Sequence, residues 1–266
     1  MRPVPPAIPP QGPEFSGRPW RELCHRAAGL VTPFYRRYPY AGRMDLFKLD
    51  PRGCYSPAEP FFYSRIPKAA NTTIVAALAS HSSFRPRYRR RQDPKHRFQR
   101  PLLLSSREVR RLERDAFVFT FVRNPFSRVL SAYLDKVGRR RHQGRRFLAW
   151  AQEHGQPGDF LGFCRFLEAG GLQLDMHWAP QSEILCLPLS RFDLIGRVET
   201  LEHDLPEVLE RLFGKWNAAP SQRRGTTTNA ADQLQEAYGA EQRQIIARLY
   251  RRDFELFGYE STLPRP

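Results

Sequence analysis

Twice in this chain a short run of aromatic and β-branched residues stops at a proline-containing loop and passes directly into an apolar helical pattern. The first run is Phe61-Phe62-Tyr63-Ser64, followed by Arg65-Ile66-Pro67-Lys68-Ala69-Ala70-Asn71-Thr72-Thr73 and the apolar stretch from Ile74 to Ala79. The second is Phe117-Val118-Phe119-Thr120-Phe121-Val122, followed by Arg123-Asn124-Pro125 and an apolar face at Phe126, Val129, Leu130 and Tyr133. Continuous apolar runs of this kind suit strands buried on both faces. From residue 61 onward strand and helix signals alternate. The expected class is therefore α/β, with a central parallel β-sheet flanked by helices.

The first loop has the chemistry of an anion site. Backbone N–H groups at a helix N-terminus point outward, and the helix dipole favours negative charge there. Lys68 adds a full positive charge, and Thr72 and Thr73 add hydroxyl donors. The nucleoside-triphosphate loop G-x-x-x-x-G-K-[ST] is absent, and no glycine lies between Ser64 and Ser80. An ordinary strand–loop–helix turn with a surface lysine fits this segment alone equally well. The second segment shifts the balance. Asn124 suits an N-cap and Pro125 the first helical position. Arg123 leaves the strand end, with Ser131 two turns into the helix, and arginine is suited to bidentate phosphate contact.

Together the two segments resemble the donor-binding motifs of the Golgi-type carbohydrate sulfotransferases (sulfotransferase family 2). Arg65 to Thr73 is similar to their 5′-phosphosulfate loop, and Val122 to Tyr133 to their 3′-phosphate segment. Downstream, His177-Trp178-Ala179-Pro180-Gln181 and Phe192 to Leu201 resemble the chondroitin, dermatan and HNK-1 branch. Thr228-Asn229-Ala230 and Tyr250 to Tyr259 resemble the end of the same domain. The matches run in the family's order over residues 55–260. Asn124 replaces the acidic residue usual before the proline, and Asn71 stands where Gly, Ser or Cys is usual. Asn71-Thr72-Thr73 also matches a glycosylation acceptor, but a glycan there would block the loop.

The resemblance implies the sulfotransferase fold, a P-loop-like three-layer α/β fold, and sulfuryl transfer from 3′-phosphoadenosine 5′-phosphosulfate (PAPS) to a carbohydrate hydroxyl, without a metal. It implies that Arg65, Pro67, Lys68, Ala69, Ala70, Asn71, Thr72 and Thr73 bind the 5′ end of the donor, with Lys68 on the leaving oxygen. Arg123 and Ser131 would hold the 3′-phosphate. His177 is the favoured base, since histidine accepts protons near neutral pH. An acceptor-binding or purely structural His177 fits as well, with His81, His96 and Asp175 as alternative bases. Glu199 fits an acceptor contact or a structural salt bridge.

Composition bounds the partners. The 266 residues suffice for one domain with a sizeable core. Lys+Arg is 43 against Asp+Glu 27, a net charge of +16, and only five of the 43 are Lys. Such a field favours polyanions, and an acidic polysaccharide or a nucleic acid would satisfy it. No RNA-binding motif or zinc-finger pattern supports nucleic acid. Basic clusters lie at Phe84–Arg100 and Arg139–Arg146. The expected organisation is a Pro-rich arm at 1–20, an N-terminal extension at 21–54 packed on the domain, and a sulfotransferase domain at 55–262, with a C-terminal helix from about Asp232 to Tyr250. Cys24, Cys54, Cys164 and Cys186 are scattered and read as free thiols. No run of 18 apolar residues or signal core is seen. These features set the expectation of a cytoplasmic bacterial enzyme, with peripheral membrane association and a trimmed Golgi-type chain as alternatives. A non-catalytic polyanion-binding module, or a sulfotransferase for a small molecule, lipid or tyrosine, are the competing functions.

Overall fold

The computed structural model describes residues 27–40, 42–84, 94, 97–214 and 233–264. The Pro-rich arm, Cys24, His96, Thr228-Asn229-Ala230 and most of the basic stretch after Phe84 lie outside them. The chain runs α1 (Pro33–Arg37), β1 (Gly53–Ser56), β2 (Phe61–Ser64), α2 (Asn71–His81), α3 (Ser106–Asp115), β3 (Phe117–Val122), α4 (Pro125–Tyr133), α5 (Arg145–Glu153), α6 (Phe160–Glu168), β4 (Leu194–Arg197), α7 (Leu201–Phe213), α8 (Ala240–Leu249) and α9 (Arg251–Phe257). These residues divide into two compact units, one within 17–122 and 184–225, the other within 123–183 and 226–266.

The first unit holds a four-stranded sheet in the order β1-β2-β3-β4. β2 and β3 pair in parallel with Phe61 opposite Phe117, and β3 and β4 in parallel with Phe119 opposite Leu194. β1 joins antiparallel, Gly53 opposite Ser64. The sheet is thus mostly parallel, with an antiparallel edge strand, β1, that spans the expected boundary between the N-terminal extension and the domain. Every residue of β2 and β3 is buried, because both faces are covered. On one face Phe61, Tyr63, Phe119 and Phe121 pack with α2 and α7. Tyr63 and Phe119 stack across the parallel pair at 5.0 Å between ring centroids. On the other face Phe62 stacks on Phe34 of α1 at 5.5 Å. Each buried ring stabilises the unit by about 1.5–3 kcal/mol.

Polar side chains fix where these elements end. The Asp193 carboxylate accepts the Val118 N–H at 2.7 Å, while the Asp193 N–H donates to the Val118 carbonyl at 2.8 Å, so the chain enters β4 in one register. Asp204 accepts from the Arg197 N–H at 2.7 Å and from the Thr200 hydroxyl at 2.8 Å, tying β4 to α7. Gly196 is required by packing: a Cβ there would lie 2.6 Å from the Phe121 ring.

The second unit is helical. α4, α5, α6 and α8 bury Phe126, Leu130, Phe147, Phe163, Trp178 and Ile246 in a common core. The expected single helix from Asp232 to Tyr250 is broken. Tyr238 and Gly239 are extended before α8, because the Tyr238 ring is buried and its hydroxyl donates to the Phe126 carbonyl at 2.9 Å. Cys54, Cys164 and Cys186 are free and buried, as the scattered cysteines led one to expect. Among the described residues no helix is long and apolar enough to cross a membrane.

One carboxylate anchors α2 from behind. Glu59, just before β2, accepts from the hydroxyls of Ser56 at 3.1 Å, Ser82 at 2.5 Å and Ser83 at 2.6 Å, and from the Ser83 N–H at 2.7 Å. Burial acts to raise its pKa, but these hydrogen bonds outweigh it and hold the carboxyl below its ordinary value. The stability it contributes is present above the unfolded-state pKa and is lost as pH falls through the lower folded value. We expect Glu59→Gln to lower the melting temperature at pH 7 by about 3–6 °C. The gap from wild type should close on acidification; a gap constant from pH 7 to 3 in thermal melts would contradict this account.

Candidate functional site

In the sheet-bearing unit, β2 ends at Ser64 and the chain turns through Pro67 to Ala70 into α2. The turn is tight although it contains no glycine. Lys68 (φ 67°) and Ala70 (φ 50°) are both left-handed, a region that costs an L-residue about 1–2 kcal/mol. Ala69 between them is fully buried, and its N–H donates to the Ile66 carbonyl at 3.3 Å. Ala70 occupies the N-cap of α2 and offers no capping side chain. A Ser, Thr or Asp at this position would cap a first-turn N–H of α2; Ala70 does not. Lys68, Asn71 and Thr72 are partly exposed around this turn, while Thr73 is buried. Asn71 Oδ1 is buried without a hydrogen-bond partner.

Arg65, at the start of the loop, is buried. It is 3% exposed, its Nη2 donates to the Pro51 carbonyl, and its Nε and Nη1 are buried without partners. His81, at the far end of α2, has Nδ1 on the Ala77 carbonyl at 2.8 Å and its ring 5.7 Å from Phe213, the environment of a structural histidine.

In the helical unit, Arg123 precedes α4. Asn124 caps that helix, its side-chain oxygen accepting the Phe126 N–H at 3.0 Å, with Pro125 at the first position. Ser131 lies two turns on and is buried. α4 then widens into a π-helical turn, Leu134–Gly138, a local irregularity often found at functional sites. Lys136 in this turn pairs with Asp135 at 3.1 Å. Beyond it Arg140 and Arg141 are exposed, as are Arg139, Arg145 and Arg146.

The His177-Trp178-Ala179-Pro180-Gln181 segment is held from several sides. Arg128, fully buried, donates to the Ala179 carbonyl at 2.7 Å and the Met176 carbonyl at 3.0 Å. Trp178 Nε1 donates to the Gly171 carbonyl at 2.9 Å, and the Tyr250 hydroxyl donates to the Trp178 carbonyl. Gln181 bonds the backbone of Arg123 and is itself bonded by Asp253. Within this frame His177 Nδ1 lies 2.5 Å from Asp175 Oδ1, which also accepts the His177 N–H at 2.8 Å. Burial acts to raise the Asp175 pKa. The His177 ring, its N–H and the Lys136 charge outweigh that and hold the carboxyl below its ordinary value. An ionised Asp175 fixes the proton on Nδ1 and directs the basicity of the ring to Nε2.

The turn before α2 thus carries Lys68, Ala69, Ala70, Asn71, Thr72 and Thr73, and Asp175 is hydrogen-bonded to His177. Glu199 is exposed in the turn before α7. Sequence reasoning assigned no role to Arg128, Lys136, Gln181 or Asp253. Gln181 and Asp253 stood inside the motifs, but nothing local in sequence marks a bond between residues so far apart.

The family model described as "Sulfotransferase family" matches residues 52–260. Carbohydrate sulfotransferase 10 of Homo sapiens is 29% identical over 184 residues, covering 59% of this chain and 50% of the relative. Carbohydrate sulfotransferase 14 of Danio rerio is 33% identical over 123 residues, 41% of this chain and 33% of the relative. Carbohydrate sulfotransferase 11 of Danio rerio is 29% identical over 164 residues, 53% and 46% respectively. In the longest of these matches the chain spans about half the length of the curated relative. No solved structure gives a significant match.

Arg128→Leu should leave two buried carbonyls without a donor, at a cost of about 2–4 kcal/mol. The melting temperature should fall by about 4–12 °C, and hydrogen exchange at 177–179 should accelerate. Unchanged stability would show that the 176–179 segment is held without Arg128.

Proposed function

This chain belongs to the sulfotransferase family, and from that premise we propose that it moves a sulfuryl group from PAPS to a carbohydrate hydroxyl, releasing adenosine 3′,5′-bisphosphate. The observation that carries the reading is the α2 N-terminus: an uncapped helix start behind two left-handed residues, one of them Lys68. That cradle suits the 5′-phosphosulfate end of the donor through the amides of Ala70 to Thr73 and the Thr72 and Thr73 hydroxyls. Pro67 shapes the turn. Arg123, with Ser131, holds the 3′-phosphate. The names of the relatives support a carbohydrate acceptor.

The bound donor supplies the sulfuryl group. The protein's own work is positioning and charge control, as in phosphoryl transfer. Lys68 neutralises the charge that grows on the 5′-phosphate oxygen as its bond to sulfur breaks. His177 Nε2 takes the proton of the acceptor hydroxyl as that oxygen bonds to sulfur. Asp175 holds the ring in the required tautomer and stabilises the imidazolium. The positive charge comes from Lys and Arg, so no metal is needed. The exposed arginines after the π-helical turn suit carboxylates or sulfates of an acidic polysaccharide.

Adenosine 3′,5′-bisphosphate should raise the melting temperature by mass action, ATP much less, and EDTA should change neither result. Equal shifts with both nucleotides would sink the donor assignment. Lys68→Ala should depress kcat more than donor affinity. His177→Ala should lower kcat by roughly 10²- to 10⁴-fold; near-normal turnover in that variant would return His177 to a structural role.

The acceptor reading has a separate check. With an acidic glycan the acceptor KM should rise steeply with salt, since exposed pairs are screened beyond about 10 Å near 0.1 M. Replacing Arg139, Arg140 and Arg141 by Ser should raise that KM and spare donor affinity. Kinetics indifferent to salt would point to a neutral sugar or small-molecule acceptor. Glycan binding without sulfate transfer would favour a polyanion-holding module.

A further inference from the structure

The backbone of Arg123 lies one residue past the point where β3 runs out of ladder partners. The last pair of β3 and β4 is Val122 opposite Arg197, and the Val198 N–H closes on the Val122 carbonyl at 2.9 Å. Both polar groups of the next residue are taken by one side chain. Gln181 Oε1 accepts the Arg123 N–H at 2.9 Å, and Gln181 Nε2 donates to the Arg123 carbonyl at 2.8 Å. The amide stands in for a further strand. Gln181 is 0% exposed, as is Asp253, which fixes it from behind. Asp253 Oδ2 accepts the Gln181 N–H at 2.6 Å, and Oδ1 accepts the Ser182 N–H at 3.0 Å.

A two-point amide bond sets both the position and the rotation of the residue it holds. The Arg123 side chain then leaves from a fixed Cα in a fixed direction, and any backbone rotation would be amplified along its rotatable bonds. The neutral amide supplies a donor and an acceptor on separate atoms, one for each backbone group of Arg123. Glutamate keeps an acceptor but opposes the Arg123 carbonyl, and methionine keeps the volume but neither bond.

We infer that Gln181, held by Asp253, is a positioning residue that aims Arg123 and so sets the affinity contributed by the donor's 3′-phosphate. The inference rests on the reading of Arg123 as a 3′-phosphate contact, and its test separates the two. Dissociation constants for adenosine 3′,5′-bisphosphate and adenosine 5′-monophosphate are measured by calorimetry on the full chain. Their ratio isolates the 3′-phosphate contribution from general loss of structure. Arg123→Ala should collapse the ratio. Gln181→Met and Gln181→Glu should reduce it by about tenfold, with affinity for the monophosphate within about twofold of wild type. A ratio preserved in Arg123→Ala would remove the role assigned to Arg123. A ratio lost there but preserved in folded Gln181 variants would overturn the positioning role alone. If the Gln181 variants do not fold, Asp253→Asn, which keeps one acceptor oxygen, is read in the same way. Failure of all three to fold would leave Gln181 a structural residue and overturn the inference.

Discussion

Parallel strands buried on both faces leave the chain a fixed obligation at each strand end. The N–H and C=O groups that leave the ladder must find partners, since an unpaired buried backbone group costs about as much as a lost hydrogen bond. This protein meets the obligation differently at each strand. After β4, Asp204 takes the Arg197 N–H. After β3, the Gln181 amide takes both groups of Arg123. After β2, the Arg65 N–H donates to the Arg52 carbonyl at 2.8 Å and the Ser64 carbonyl accepts the Thr120 hydroxyl at 2.8 Å. Only beyond that closure does the chain turn into α2, whose N-cap residue, Ala70, has no capping side chain.

The strands that carry the candidate site were legible because burial on both faces leaves an uninterrupted apolar run. Phe61–Ser64 and Phe117–Val122 are strands at the expected residues. Asn124 and Pro125 were legible because a cap and a first helical residue depend only on near neighbours. β1 was not, because Gly53 to Ser56 carries little apolar signal and becomes a strand by pairing with β2. The break before α8 was not, because it depends on Tyr238 reaching the Phe126 carbonyl, 112 residues away in sequence. The Gln181 clamp escaped for the same reason. Motif spacing identifies which residues matter more readily than what each one touches.

The arginine excess also divides on structural grounds that composition hides. Arg128 is fully buried and spent on two carbonyls, Arg65 is buried beside Pro51, and Arg139 to Arg141 are exposed. A count of cations therefore overstates the charge available to a polyanion. In Arg128 the guanidinium serves as a rigid donor fork, and its charge is incidental to the carbonyls it joins.

The absence of glycine from the anion loop has a thermodynamic consequence. Glycine would reach the left-handed conformations of Lys68 and Ala70 without strain, but it would give the free loop many competing shapes. Alanine and lysine restrict that freedom, and the fold carries the strain before any ligand arrives. An anion entering the turn would have little backbone left to order. If the turn binds an anion as proposed, association there should draw on enthalpy without a large opposing conformational entropy.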